Sequence, residues 1–271
     1  MTQSEWIPFG VDISVPSAAR TYDYMLGGAH NFAVDRALGE RIETSMPGLR
    51  NAARVNRAFL GRVVRFMVDR GVRQFLDVGS GIPTVGNVHE VAQAAAPGCR
   101  VVYVDRDPVA VAHSELMLLG NDDAAVVQAD MREPETVLGS DAARRLLDFD
   151  QPIGLLMLLM LHWVPDAADL AALLTRYRDA LAPGSYLAIT HATSDNLDDN
   201  LVRATDAIKR SNSPDQMNLR SHAEITRLFD GFELEEPGLV GCGEWRPGGP
   251  ADISSQPDMN MLVYAGVGRK A

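Results

Sequence analysis

The feature that most constrains this 271-residue chain is a strand-helix alternation between residues 74 and 190, in which strand after strand ends on glycine or aspartate. "RQFLDVGSG" is a short apolar run that stops at Gly79 and Gly81. The helix-like "VHEVAQAAA" follows, then a turn at "PGC" and the β-branched run "VVYV" leading to Asp105. "PVAVAHSELMLL" has helical spacing, and "AAVVQAD" is a third strand ending on Asp130. A fourth strand falls within 153–159, "AADLAALLTRYRDAL" is the next helix, and "APGSYLAITHA" turns through proline and glycine into a fifth strand. Parallel strands need crossovers, and alternation of this kind supplies them, so the helices must cover both faces of the sheet through right-handed connections. The expected fold is α/β, Rossmann-like and doubly wound. Its mostly parallel sheet reaches seven strands with "GFELEEPGLV" and the closing "NMLVYAGVGRK".

Two regions break the rhythm. Residues 1–50 precede the first strand, and residues 194–220 form a polar insertion after the fifth. The expected division is an N-terminal helical lid (1–50) and a Rossmann-like domain (51–271) carrying a helical insertion. In the lid, Ser17 can cap a short helix that puts Tyr22 and Leu26 on one face, and Gly27 and Gly28 make a hinge before His30 and Asn31. Tyr22 and Leu26 would also serve as plain core, so a docked helix without ligand contact is the competing assignment. Residues 51–70 form a helix with Val55, Phe59, Val63, Phe66 and Met67 on one side, and Gly71 sits where a C-terminal cap belongs. The arginines around it (Arg50, Arg54, Arg57, Arg62, Arg65, Arg70 and Arg73) read as its solvated face.

Composition removes several functions. Twenty-five basic against thirty-six acidic residues give a charge of −11, a poor match to a phosphate backbone, so a nucleic-acid substrate is not expected. No "NPPY" or "DPPY" follows the fourth strand to grip an exocyclic base nitrogen. The longest apolar run, "IGLLMLLML", is too short to cross a bilayer. Nothing at the N-terminus resembles a signal peptide, and Cys99 and Cys242 have neither a disulfide framework nor metal-ligand spacing. The expectation is a cytoplasmic protein without metal and with a small-molecule substrate; homo-oligomerisation is left open.

Strand ends at the switch point of such a sheet bring Gly79, Asp105 and Asp130 to one pocket. Asp105 can accept hydrogen bonds from the ribose of NAD or of S-adenosylmethionine, and alone does not discriminate. The loop says more. Asn87 and Glu90 have capping-box spacing, which leaves Ser80 to Gly86 extended and moves the helix dipole away from the site, unlike a dinucleotide turn. Asp77 supplies an anion where an α-ammonium can lie; its competing role is a loop-capping carboxylate.

The series "FLDVGSG", "VVYVDRDP", "VVQADMRE" and "LAPGSYLAI" resembles the motifs of class I S-adenosylmethionine-dependent methyltransferases over residues 74–190. "SVPSAARTYDYMLGGAHNFAVDR", "PGLRNAARVNRAFLGRVVRFM", "GIPTVGNVHEVAQ" and "SHAEITRLFDGFELEEPGLV" resemble, nearly end to end, the actinobacterial methyltransferase-like family long known as a domain of unknown function. The resemblance implies S-adenosylmethionine as cofactor, with Asp77, Gly79 and Gly81 around its methionine part and Asp105 on the ribose. It also implies Arg106 beside the adenine, and Asp130 with the Met131 backbone on the adenine edge. Pro83 departs from the general pattern, and Asp130 as a turn cap is the alternative.

The implied reaction is methyl transfer to oxygen or nitrogen of a small molecule, which needs an acceptor held in line and a base where that acceptor carries a proton. The candidate bases are His162 in "LHWVPD" and His191 in "ITHATSD", each after a strand; either can instead be a hydrogen-bonded structural histidine. From the lid, Tyr22 and Gly28 are expected at the cofactor. His30, Asn31 and Trp163 are expected at the acceptor. A non-catalytic S-adenosylmethionine-binding module and, with less support because no Tyr-x-x-x-Lys pair is present, an NAD-dependent oxidoreductase are the competing functions.

Overall fold

The computed structural model describes residues 7–8, 11–165, 169–195, 198–253 and 256–271. In chain order these form α1 (Ala18–Met25), α2 (Ala33–Ser45), α3 (Leu49–Asp69), β1 (Gln74–Val78), α4 (Val88–Ala95), β2 (Arg100–Asp105), α5 (Pro108–Met117) and β3 (Ala124–Gln128). Then follow α6 (Pro134–Leu138), α7 (Asp141–Leu146), β4 (Gly154–Leu158), α8 (Leu170–Ala180), β5 (Tyr186–Ala192), α9 (Asp199–Lys209) and α10 (His222–Arg227). The last elements are β6 (Glu233–Leu234), β7 (Val240–Gly241), α11 (Pro257–Met261) and β8 (Val263–Arg269).

One sheet runs β3-β2-β1-β4-β5-β8-β6, with the two-residue β7 paired to β8 beside that path. The doubly wound expectation holds, with one short strand more than the seven. β1 to β5 are parallel and β8 is antiparallel to β5. The chain moves outward from β1 to β3 and returns to β4 on the other side of β1. The crevice between the carboxyl ends of β1 and β4 is therefore the switch point where ligands of such sheets bind.

Strand side chains alternate between two apolar layers, as the period of a pleated strand requires. Phe75, Val101 and Tyr103 lie in the layer of α3 and α4, while Leu76, Val78, Val102 and Val104 lie in the layer of α7 and α8. α3 contributes Phe59, Val63 and Met67 at helical spacing, all fully buried. Gly71 follows it at φ +90°, where a side chain would be strained. α1 and α2 join this first layer through Met25, Leu38, Ile42 and Met46, and α2 packs along α9 of the insertion. Among the described residues no helix is long and apolar enough to cross a membrane.

The arginines around α3 are not all a solvated face. Arg54, Arg65, Arg70 and Arg73 are exposed, but Arg62 is buried. Its guanidinium donates to the carbonyls of Trp245 (2.9 Å) and Cys242 (2.8 Å) and pairs with Asp252. The helix is buried on more than one side because the C-terminal segment wraps it, which helical spacing within α3 does not reveal. Arg62→Ala leaves buried carbonyls without donors, at roughly 1 to 3 kcal/mol each. Thermal melts should show it several degrees below the parent, with Arg65→Ala unchanged; equal melting of the two would contradict this packing.

Candidate functional site

A cavity of about 490 Å³ opens over the carboxyl ends of β1, β2 and β4, roofed by α1, α2 and α9. β1 stops at Val78, and Gly79 and Gly81 turn the chain at φ +77° and +68°, left-handed values that favour glycine. At Gly79 a Cβ would lie 2.2 Å from Met160 Sδ, so a side chain there would also have to displace that methionine. The Gly81 N–H donates to Asp105 Oδ2 at 2.7 Å, which ties the loop to β2. Glu90 accepts from the N–H groups of Gly86 and Asn87, both at 2.8 Å, so α4 begins late and the loop before it stays extended.

Two carboxylates lie on the cavity wall at these strand ends. Asp105 also accepts from the Asp107 N–H at 2.8 Å. Asp77 accepts from no described residue, although it is only 5% exposed. Burial pushes Asp77 up to about 7, with Arg57 opposing and Asp105 adding to the rise. Burial likewise raises Asp105 to about 6, against the two backbone donors. A buried carboxylate without a donor is unfavourable until a cationic or donor group arrives.

Arg106 and Met131 also line the cavity, but Asp130 does not. The Asp130 side chain accepts from the Arg132 backbone at 2.9 Å and pairs with Arg132 and, at 3.9 Å, with Arg106, so it acts as a turn cap with two charged partners. Arg106 reaches across to an ion pair with Asp215 of the insertion. Asp215 Oδ2 in turn accepts from the Ala18 N–H at the start of α1 (2.8 Å). Ser17 accepts from Arg20 N–H as the expected cap, and its hydroxyl donates to Asp107 Oδ2. Arg20 is buried against Asp35 (3.2 Å) and near Asp107 (3.9 Å).

The other end of the cavity is largely apolar, walled by Met25, Leu38, Ile42, Leu60, Met217 and Trp163. Tyr22 also faces it; its hydroxyl donates to the Ala53 carbonyl (3.1 Å) and accepts from Asn56 Nδ2 (3.0 Å). His162 and Trp163 stand in a single turn of 3-10 helix after β4, with ring centroids 4.7 Å apart. His162 is buried, and its Nδ1 has no partner. Burial, then His191 and Arg220, hold its pKa well below 6.5. Thr21 Oγ1, also on the wall, is buried without a partner.

Besides Asp130, four expected site residues lie elsewhere. His191 is fully buried off the cavity wall: Nδ1 meets the Ala192 carbonyl at 2.7 Å and Nε2 meets Arg220 at 3.0 Å, so no ring nitrogen remains to act as a base. Gly28, His30 and Asn31 fold around Asp23, which accepts from the His30 N–H (2.9 Å) and Asn31 Nδ2 (2.7 Å). Gly28 is required there because a Cβ would meet the Asp23 carboxylate. The His30 ring packs on His113 of α5, at 3.9 Å between centroids. These residues shape the turn between α1 and α2 and do not reach the cavity. Sequence reasoning missed Asn56, Arg57, Thr21 and Asp215 on the wall. Their signal was weak, since Arg57 sits in an arginine-rich helix and Asp215 is one of several aspartates in the insertion.

Comparison with known proteins follows the same lines. The chain belongs to the S-adenosyl methyltransferase family, whose sequence profile matches residues 4–271. A "putative methyltransferase" from Thermobifida fusca YX is 41% identical, with 98% of this chain and 99% of that one aligned at a TM-score of 0.90. A DUF574 family protein from Streptomyces avermitilis MA-4680 is 35% identical over 96% and 99% of the two chains, at a TM-score of 0.91. The mitomycin 7-O-methyltransferase MmcR, 18% identical over 96% of this chain and 74% of its own, shares the fold at a TM-score of 0.53. Nothing matches among curated proteins. The protein is an S-adenosylmethionine-dependent methyltransferase, which decides the choice of cofactor that Asp105 left open. The residues fit that cofactor: Asp77 is a buried carboxyl without a donor, Asp105 retains lone pairs for hydroxyl donors, and Gly79 turns the chain at a left-handed φ that favours glycine.

Asp77 and Asp105 have folded-state pKa values above the ordinary 3.8. Their contribution to stability is therefore complete below that value and is lost as pH rises through about 6 to 7. Asp77→Asn removes part of the loss. Without ligand it should melt a few degrees above the parent, by a margin that grows from about pH 5 to about pH 8, while S-adenosylhomocysteine binds roughly 10- to 100-fold more weakly. A variant that melts lower at the upper pH would mean that Asp77 has a protein partner.

Proposed function

We propose that the enzyme methylates oxygen or nitrogen of a small, largely apolar molecule. The observation that carries this reading is the continuity of the cavity, in which the Asp77 and Asp105 end opens into an apolar chamber whose partnerless polar groups are Thr21 Oγ1 and His162 Nδ1. At the cofactor end, Asp77 receives the α-ammonium and Asp105 the ribose hydroxyls, with Arg106 and Met131 flanking the adenine. When bound, S-adenosylmethionine supplies a methyl group already activated on a sulfonium. The chain's own task is then to hold the acceptor in line, exclude water and handle one proton.

The apolar wall from α1 to α3 orients the acceptor by shape, with Trp163 as a flat face for an aromatic ring. His162 is the candidate catalytic residue. Its imidazole stays neutral across the physiological range and can accept the proton released as the acceptor is methylated. Because burial disfavours the imidazolium, the proton is held briefly and passed to solvent, which suits an acceptor of acidity near a phenol's better than an alkyl alcohol. Residues 1–50 act as the lid, since α1 and α2 roof the cavity and the Ser17, Arg20 and Ala18 contacts fasten them to the cofactor edge.

With an acceptor in hand, His162→Ala should lower kcat by about 10²- to 10⁴-fold and leave S-adenosylmethionine affinity unchanged. The parent kcat should show no imidazole protonation step near pH 6.5, the ordinary histidine range, because its lowered pKa places that loss at more acid pH. Full turnover in the variant would eliminate the base. Limited proteolysis tests the lid separately: cleavage between residues 27 and 35 should slow at saturating S-adenosylhomocysteine. An unchanged rate would make the segment static packing.

A further inference from the structure

β4 ends at Leu158, and the next residue, Leu159, takes φ +52°. Left-handed backbone is unfavourable for a bulky side chain and persists only where its surroundings hold it. Leu159 and Met160 line the cavity and lead into the 3-10 turn that carries His162 and Trp163. The far side of that turn is held by the insertion, through the Asn218 N–H on the His162 carbonyl (2.8 Å) and Arg220 on the Leu161 carbonyl (3.1 Å). The near side depends on β5. The Leu159 N–H donates to Thr190 twice, to its carbonyl at 3.0 Å and to its Oγ1 at 2.8 Å.

Thr190 is fully buried and stands behind the cavity wall rather than on it. Its hydroxyl donates to Asn56 Oδ1 of α3 at 2.7 Å. Asn56 Nδ2 donates in turn to the Tyr22 hydroxyl of α1 (3.0 Å), whose own proton goes to the Ala53 carbonyl (3.1 Å). A backbone N–H begins this chain and a backbone carbonyl ends it, so all its groups are satisfied in one direction only. Burial pushes Tyr22 up to about 12, against the Asn56 bond, so the phenol keeps its proton and the chain stays intact at physiological pH. Buried polar networks that are fully satisfied fix a single geometry. We propose that Thr190 and Asn56 are positioning residues for methyl transfer: they hold the left-handed turn at Leu159 and through it set His162 and Trp163 against the acceptor. The same amide fastens Tyr22 of the lid, so α3 joins α1 to the end of β4 through one side chain. This assignment rests on the apolar end of the cavity being the acceptor chamber; the cofactor end does not enter.

Fluorine NMR of the full-length protein, labelled with 5-fluorotryptophan and saturated with S-adenosylhomocysteine, reads the wall without an acceptor. Trp163→Phe assigns the Trp163 resonance, and Trp245, fully buried against Phe59 and Phe66, serves as the reference. Thr190→Val keeps the side-chain volume and removes the hydroxyl. It should displace the Trp163 resonance by more than its linewidth, leave that of Trp245 in place and keep S-adenosylhomocysteine affinity within about twofold of the parent. Thr190→Ser restores the hydroxyl and should return Trp163 to its parent position. Asn56→Leu should reproduce the displacement, and combining it with Thr190→Val should add little, because both changes break one chain. An unmoved Trp163 resonance in Thr190→Val overturns the proposal. So does an equal displacement of Trp245, or a Thr190→Ser protein that stays displaced, since either means general repacking. If Thr190→Val does not fold, Asn56→Leu decides by the same resonance. With 2-naphthol as the acceptor probe, Thr190→Val should lower kcat by about 10- to 100-fold with KM for S-adenosylmethionine unchanged, and Thr190→Ser should recover it; an unchanged kcat in Thr190→Val overturns the proposal. A parent that methylates no phenol counts against the acceptor chamber, and the fluorine spectra then decide the positioning role by themselves.

Discussion

The site depends on two carboxylates that the fold keeps out of water without giving one of them a partner. Asp77 and Asp105 end adjacent parallel strands, and the register places Asp77 across from Tyr103, two residues before Asp105. The strands are pinned by apolar layers on both faces, so neither carboxylate can swing to solvent without unpacking the sheet. Asp105 is satisfied by the N–H groups of Gly81 and Asp107, and in accepting them it sets the path of the loops after β1 and β2. Asp77 is left as a buried anion whose ionisation costs stability above neutral pH. A cation placed beside it would offset that cost.

The same strand-end acids organise the roof. Asp107, two residues beyond Asp105, caps α5 through the Val109 N–H, accepts from the Ser17 hydroxyl and lies near Arg20. Asp215 meets Arg106 on one side and the Ala18 N–H on the other. The start of α1, the insertion and the end of β2 thus meet at one cluster of charges beside the cofactor end. Ser17 and Ala18 at the start of α1 are thereby bonded to Asp107 and Asp215, and α1 itself places Thr21 and Tyr22 on the cavity wall.

Much of the frame was legible because short-range rules produce it. Strand-end glycines, the capping box of Asn87 and Glu90 and that of Ser221 and Glu224, and the helix ending at Gly71 are local devices, and each occurs where its pattern placed it. Asp77, Asp105, His162 and Trp163 reach the cavity because topology fixes which strand ends meet. His191 occupies the equivalent position one strand further out, but there β8 pairs antiparallel with β5, and Arg220 returns from the insertion to occupy its ring nitrogen. Gly28, His30 and Asn31 failed for a related reason. Their conspicuous polarity serves a buried Asp23, and nothing within a few residues distinguishes a polar group that stabilises a turn from one that meets a ligand. Arg57 failed in the opposite direction, since one arginine of seven around a helix carries no mark of the loop it holds 28 positions later.

Unsatisfied buried polar atoms occur on the cavity wall and, away from it, at Asp23 Oδ1 and Trp245 Nε1. Buried side-chain atoms are nearly always hydrogen-bonded in a folded chain, so those that are not call for a physical reason. At the roof, Ser17, Arg20, Asp35, Asp107 and Asp215 are all engaged with one another or with backbone. On the cavity wall, Thr21 Oγ1, Ser80 Oγ and His162 Nδ1 have no partner, and Asp77 accepts from nothing. Two of these lie at the cofactor end and two at the acceptor end, so the wall lacks partners on both sides of the point where a methyl group would pass. The first pair lies among the strand-end carboxylates, and the second is set in an otherwise apolar surface, the contrast on which the proposed acceptor site rests.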